Sequence, residues 1–562
     1  MNTKVCIKKM TFSDNITLEL EPNEIIVFVG PNNAGKSASL KEINEIMRNL
    51  IHQGKVIKRI ECFIQGTEEE LITDLQKISK IVTDTNPLPT YRGFGFQIYE
   101  RNAKMFWANL NTSGLRDLTP VFINLLNTEA RLNAANPPPN ISLTKDPPTH
   151  PIHYLQINDT IEEQFSNYFK QAFGLDLIVH RNAGNQVPLY IGDKPIPGPG
   201  EDRVSISYLK KIEELDLLHE QGDGMRSFVG VLLNSFISHH SVLLIDEPEA
   251  FLHPPQARLL GKMLARDLPS ERQLFLATHS GDFLRGLLDA NIRNLRILRI
   301  QRDNQINRVS ELNKDDISHL WSDPLLRYSN ILDGLFHSKV IICESDSDCK
   351  FYSAIMDSLT DGSGQIAPDI LFTHCGGKHR IPSIVQALVK INVPVAVVCD
   401  FDILNDEKPL RDIVEKLNGN WSNIKEDWRL VKRQIESKRP ELDTNEVKKQ
   451  ILDILESIED KNFPKEAALA ISKVLKKTSA WSQAKETGKG FIPSGEATQA
   501  FSHVNAYLKS IKLFVVEIGE LESFARSIGN HGPKWVNEVL QKDIKNDPEL
   551  EEARRFVSEI IS

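Results

Sequence analysis

Short, wholly apolar runs alternate along this chain with longer stretches in which apolar residues recur at helical spacing, and the chemically distinctive residues fall where the short runs end. Ile25-Ile26-Val27-Phe28-Val29 reads as a buried strand. It runs into the turn Gly30-Pro31-Asn32-Asn33-Ala34-Gly35-Lys36-Ser37 and then into a helical stretch over 38–50. Ahead of it, residues 5–10 and 16–20 predict a short β-unit. Farther on, the glycine turn over 221–227 opens an apolar helix over 228–237, and Val242-Leu243-Leu244-Ile245 is a strand ending in Asp246-Glu247. A strand over 273–277 then delivers Thr278-His279-Ser280.

Between these signals the pattern mixes strand-like pieces (56–63, 95–98, 189–191) with helical ones. Proline clusters at 137–139, at Pro147, Pro148 and Pro151, and at 195–199 predict surface loops. This region reads as an arm of about 51–215 inserted into the first domain. From Lys339 a second α/β pattern begins: strands over 340–343, 370–373 and 395–399, with a helix over 349–359 after the first and another opening near Pro382. Residues 405–509 read as helices only, and strand character returns at Leu513-Phe514-Val515-Val516. The turn at Gly532-Pro533-Lys534-Trp535 predicts a last helix.

Length and composition narrow the classes. At 562 residues the chain exceeds one ordinary core, and 40% hydrophobic with 25% charged residues is a globular balance. No stretch approaches the roughly 18 apolar residues of a membrane span, and no apolar leader opens the chain, so a cytoplasmic protein is expected. The cysteines at 6, 62, 343, 349, 375 and 399 lack CxxC spacing, which predicts free thiols and excludes a zinc ribbon. A net charge of −9 excludes a protein that coats nucleic acid over its whole surface. Any such contact is local. Between Lys408 and Lys512 there are 20 Lys/Arg against 15 Asp/Glu, a mildly basic segment that reads as a solvated helical face or a nucleic-acid contact.

Strand, glycine turn and helix in that order make residues 30–37 a P-loop. Backbone N–H groups around Gly30, Asn32, Asn33 and Gly35 cradle a triphosphate, Lys36 reaches its β and γ phosphates, and Ser37 holds Mg²⁺. Behind a P-loop, Asp246 binds Mg²⁺ through water, Glu247 orients and deprotonates the attacking water, and His279 reads the γ-phosphate. These motifs resemble those of ABC-type ATPases of the SMC and OLD kind. That resemblance implies a head-to-head dimer in which Gly222 and Gly224 face ATP bound to the other protomer. Gly222 stands where the family's signature turn usually has serine, which leaves backbone donors in place of the hydroxyl.

In the second half, parallel strands deliver Glu344 and the pair Asp400 and Asp402 to one carboxyl edge, with Asp348 just beyond Glu344. Clustered carboxylates repel one another unless a cation neutralises them, and an all-oxygen set suits Mg²⁺ or Mn²⁺. A glutamate after the first strand, Gly376-Gly377 after the second and Asp-x-Asp after the third resemble a Toprim domain, with Ser345 where such domains often carry glycine. An ABC-type ATPase followed by Toprim is the arrangement of OLD-family nucleases, among them the nuclease subunit of Gabija-type antiphage systems. The resemblance implies that Glu520 and Glu522 are further metal ligands and that Lys534 offsets charge on the scissile phosphate.

The expected architecture is therefore α/β: an ABC-type ATPase domain over 1–301, a connector over 302–336, and a Toprim domain over 337–404 and 510–562 split by a helical insertion over 405–509. The expected function is an ATP-binding and ATP-hydrolysing, divalent-metal-dependent endonuclease acting on DNA in antiphage defence. It would form a homodimer or higher homo-oligomer through the ATPase domain, with a co-encoded defence partner and no membrane contact. Two rivals stand beside it: a Toprim RNase, for example one cleaving tRNA, and an ATP-switched nucleic-acid-binding scaffold without cleavage. A topoisomerase or primase would need a tyrosine module or a zinc ribbon, and neither is marked.

Overall fold

The computed structural model describes residues 1–82, 89–303, 306–312, 330–361, 368–438, 444–458, 463–476 and 480–562. The chain divides into two compact units, Met1–Lys314 and Asp315–Ser562.

The first unit is built on a six-stranded sheet. Its order is Ile306–Glu311, Leu295–Asp303, Ile25–Val29, Gln273–Ala277, Val242–Asp246 and Ile123–Leu126, with only the first of these antiparallel to its neighbour. Ile25–Val29 is buried at every position, because a central parallel strand is covered on both faces. Parallel strands end on the same side, so Gly30, Asp246 and Thr278 leave the sheet at one edge. Helix Lys36–Arg48 buries Leu40, Ile43, Ile46 and Met47. Their core also holds Val5, Met10 and Phe12 of Lys4–Phe12, the centre of an antiparallel sheet with Thr17–Glu19 and Ile57–Gln65.

That layout corrects the inserted arm. Ile57–Gln65 pairs with the N-terminal strand and Ile123–Leu126 pairs with Val242–Asp246, so both belong to the ATPase body. The added pieces lie between them and after them, each with its own three-stranded antiparallel sheet: Ser79–Val82, Thr90–Gly93 and Phe96–Tyr99, then Asp176–Val179, Leu189–Gly192 and Asp216–Leu217. A run of four residues between two short helices, with Asn124 inside it and Asn127 after it, carries too little periodicity to announce a core strand. Pro151 is likewise not in a loop; it opens the buried helix Pro151–Ile157, where its missing N–H costs nothing. The connector also shrinks, since Leu295–Asp303 and Ile306–Glu311 complete the first sheet, and 313–329 lies outside the described residues. The helix expected over 228–237 begins earlier, as Asp223–Leu232, and widens into a π-turn at Leu233–Ile237.

The second unit has a four-stranded parallel sheet in the order Ile370–His374, Lys339–Cys343, Val395–Cys399 and Leu513–Val515. Phe351, Tyr352, Phe514, Trp535 and Val557 share its core. Val557 comes from Glu551–Ile561, a helix beyond the one at Pro533–Val539 that was expected to be last. The first helix starts at Asp346 rather than Cys349, because Ser345 caps it. Between the third and fourth strands the helical insertion includes Lys425–Ser437, Ala480–Thr487 and Glu496–Ser510. All six cysteines are free thiols.

Candidate functional site

At the edge of the first sheet the P-loop wraps a cleft of about 920 Å³ lined by residues 32–38 with Glu247, His279, Arg302 and Asn307 among others. Gly30 has φ +144°, and a Cβ there would lie 2.1 Å from the Ile300 carbonyl oxygen, so only glycine lets the loop leave the strand this way. Lys36 Nζ donates to the carbonyl oxygens of Gly30 at 2.8 Å and Pro31 at 2.9 Å. Ser37 Oγ donates to Asp246 Oδ1 at 2.8 Å, which brings together the P-loop hydroxyl and the strand-end carboxylate, two oxygen donors suited to a hard divalent cation. Burial pushes the Asp246 carboxyl up, against the lowering effect of that hydrogen bond.

Glu247 sits in the left-handed region at φ +48° and pairs with His279, Oε1 to Nε2 at 3.1 Å. Two residues that the sequence did not single out support this pair. Arg131, fully buried, donates through Nη1 to the carbonyl oxygens of both Asp246 and Glu247. Buried Glu249 accepts from Thr278 Oγ1 at 2.7 Å and from the His279 N–H at 3.3 Å, fixing the turn that presents His279. Gly222 and Gly224 are not among the residues lining this cleft. They stand at the N-terminus of helix Asp223–Leu232, with Gly222 exposed.

In the second unit the strand ends assemble two groups of ligands. Glu344, Asp400 and Asp402 bring carboxylate oxygens within 4.8 Å of one another, and Glu520, Glu522 and His531 do the same with an imidazole nitrogen. Glu344 Oε1 accepts the Asp400 N–H at 3.1 Å, and the Gly377 N–H donates to the Glu344 carbonyl at 3.0 Å, so the Gly-Gly turn braces the first acid. Burial first, then Asp400 and Asp402, push Glu344 up to about 8. Burial also raises Asp400 to about 6, and burial followed by Glu522 raises Glu520 to about 7. These acids resist ionising side by side, the condition a divalent cation relieves.

Asp402 Oδ1 is buried without a hydrogen-bond partner among the described residues. A buried carboxylate oxygen that accepts no hydrogen bond, in an all-oxygen set, fits a hard divalent cation. Asp348 is in neither group: its Oδ2 accepts the Ser345 N–H at 2.8 Å and its own N–H bonds back to Ser345 Oγ, so it closes the capping box that Ser345 opens. Lys534 is exposed and forms no ion pair with these acids. The ammonium groups that meet them are Lys485, 3.0 Å from Asp400 Oδ2, and Lys378, 3.0 Å from Asp402 Oδ2 and 2.9 Å from Asp406 Oδ2. Nothing in the local pattern marks Lys485, which arrives from the helical insertion; Lys378 directly follows the Gly-Gly turn and was open to notice.

Two family models match the chain. Residues 200–285 match an AAA domain, AAA_21, and residues 335–402 match the Overcoming lysogenization defect protein-like TOPRIM domain. The order is an N-terminal ATPase domain and then a C-terminal TOPRIM domain, consistent with an OLD-family nuclease. Among curated proteins, "Probable ATP-dependent transporter ycf16" of Cyanidium caldarium is 29% identical over 133 residues, 22% of this chain and 47% of that one. An uncharacterized protein of Methanocaldococcus jannaschii is 35% identical over 69 residues, 12% of this chain and 60% of that one. The chain thus spans 47% and 60% of the length of these curated relatives. Among solved structures, an SMC head bound to the C-winged helix domain of ScpA is 12% identical, with a TM-score of 0.33 over 56% of this chain and 99% of that one. The SMC head domain from Thermotoga maritima is also 12% identical, with a TM-score of 0.26 over 56% of this chain and all of that one.

Proposed function

We propose that this chain is an ATP-regulated, divalent-metal-dependent endonuclease that cuts DNA in the cytoplasm of a prokaryote as part of antiphage defence. The observation that carries the reading is the carboxylate set Glu344, Asp400 and Asp402, with a buried Asp402 oxygen that accepts no hydrogen bond among the described residues, in the same chain as a P-loop whose serine touches the strand-end acid. Mg²⁺ or Mn²⁺ held there would lower the pKa of a water and neutralise the leaving oxygen of a phosphodiester. The chain's own residues do the rest. Glu344, Asp400 and Asp402 hold the ion, Glu520 and Glu522 extend the ligand set, and Lys378 keeps Asp402 oriented.

In the ATPase unit the P-loop amides and Lys36 bind the triphosphate. Ser37 and Asp246 hold Mg²⁺, and Glu247, aligned by His279, takes a proton from the attacking water. Gly222 and Gly224 stand apart from their own cleft, which supports a homodimer in which each turn serves the other protomer's nucleotide.

The test is cleavage of supercoiled plasmid and of total tRNA, side by side, with Mg²⁺ or Mn²⁺ and with or without ATP, for the native chain and for Asp400→Ala. Plasmid cleavage lost in Asp400→Ala supports the reading. Cleavage of tRNA alone makes the chain a Toprim RNase, and no cleavage of either by the native chain under any of these conditions overturns the nuclease.

A further inference from the structure

Lys485 does not reach the acidic centre as a loose surface side chain. It lies on helix Ala480–Thr487 of the insertion, and its Nζ stands 3.0 Å from Asp400 Oδ2, 3.7 Å from Glu520 Oε2 and 3.8 Å from Asp402 Oδ1. One ammonium therefore bridges both ligand groups. The backbone is shaped to put it there. Gly519, at φ +124°, lets the Lys485 carbonyl approach so closely that a Cβ would lie 2.2 Å from its oxygen. Gly488, at φ +65°, lies against Glu517, where a Cβ would come 2.1 Å from the carbonyl oxygen. The Lys489 N–H donates to that same carbonyl at 2.7 Å, and Lys489 Nζ pairs with Glu517 Oε2 at 2.9 Å. On the far side, the Phe401 N–H donates to the Gly519 carbonyl at 2.8 Å, tying the Asp400 turn to the same anchor.

We infer that Lys485 is a tethered cation that competes with the divalent ion for Asp400 and Glu520, so that the seating of the insertion helix sets how tightly the Toprim centre holds its ion. This rests on the metal-dependent reading above and adds a control to it. An ion bound to Asp400 and the Lys485 ammonium would be two positive charges sharing one carboxylate, a repulsion worth more than tenfold in affinity even at an effective dielectric of about 20. Ion uptake must then push the ammonium aside. Any ligand that shifts the insertion would tune the uptake.

The experiment is Mn²⁺ binding to the full chain, read as free Mn²⁺ by electron paramagnetic resonance, for the native protein, Lys485→Met, Lys485→Arg, Gly488→Ala and Asp400→Asn. Lys485→Met is expected to bind at least about tenfold more tightly than native, and Lys485→Arg, which keeps the charge, within about threefold of native. Gly488→Ala, which keeps the ammonium but unseats its turn, is expected to shift in the same direction as Lys485→Met. It carries the test if Lys485→Met does not fold. Equal or weaker binding by folded Lys485→Met, with binding lost in Asp400→Asn, overturns the competition and leaves the metal centre standing. No Mn²⁺ binding by the native chain or any variant overturns both.

Discussion

The nucleotide cleft and the carboxylate centre solve opposite electrostatic problems at the same place, the carboxyl ends of parallel strands, in two sheets. In the first, main-chain N–H groups and Lys36 face a space suited to an anion, and each of the two acids is already matched, Asp246 to Ser37 and Glu247 to His279. In the second, acids crowd together with raised pKa values and borrow their balance from Lys378 and Lys485. The phosphate cradle of the first is made by consecutive residues and backbone geometry, with Asp246, Glu247 and His279 delivered to it by neighbouring strand ends. The other depends on side chains that lie far apart in the chain, so it can be assembled or disturbed by a distant element.

That contrast can be broken most sharply at Asp400. Asp400→Ala is expected to lower phosphodiester cleavage at least about a thousandfold, because it removes a ligand common to the set, while ATP turnover stays within about twofold of native. Loss of both activities would mean the two centres are not separable. The converse variant, Glu247→Gln, is expected to slow ATP turnover about a hundredfold and leave Mn²⁺ binding unchanged, as a lost general base should. A change in Mn²⁺ affinity at the second centre would sink that separation.

Arg131 tests how far the first site depends on a residue outside the P-loop. Its guanidinium holds the consecutive carbonyls of Asp246 and Glu247, so Arg131→Ala should cut kcat about tenfold with little change in KM for ATP. Arg131→Lys should recover part of it. A rise in KM with kcat intact would assign the arginine to nucleotide binding instead.

A smaller, graded effect should come from pH. A carboxyl raised in the folded protein favours the fold while it is protonated, so the contribution of Glu344 is full below the ordinary carboxylate range and lost as pH rises through about 8. Metal-free protein should therefore lose thermal stability at this centre between about pH 5 and pH 8, and Mn²⁺ should restore it most at the alkaline end. Scanning calorimetry with and without Mn²⁺ checks the sign; a stabilising effect of Mn²⁺ that shrinks as pH rises would contradict it. Lys534→Ala, at an exposed position with no ion pair to the acids, should leave cleavage within about twofold. A larger loss would return Lys534 to the reaction.

Much of the fold was legible because its signals are local. The run Ile25–Val29 with its glycine turn, the strands ending in Asp246-Glu247 and Asp400-Phe401-Asp402, and the helical insertion all follow from periodicity and from residues next to one another. The misplaced pieces are those whose identity depends on a distant partner. Ile123–Leu126 is a sheet strand only because Val242–Asp246 lies beside it, and Ile57–Gln65 joins the ATPase body by pairing with Lys4–Phe12 and by its contacts with helix Lys36–Arg48.

By itself, then, the amino-acid order determined which residues are chemically able to act: a phosphate loop, two acids behind it, and carboxylates at the ends of parallel strands. The tertiary structure decided which of them meet. It tied one Asp348 oxygen into the capping box of Ser345, left Lys534 in solvent, and brought Arg131 and Lys485 from other elements onto the two centres. The reason is range: hydrogen bonds within a turn and apolar periodicity act over a few residues, whereas the pairing of a buried charge is settled by whichever part of the fold packs within a few ångströms of it.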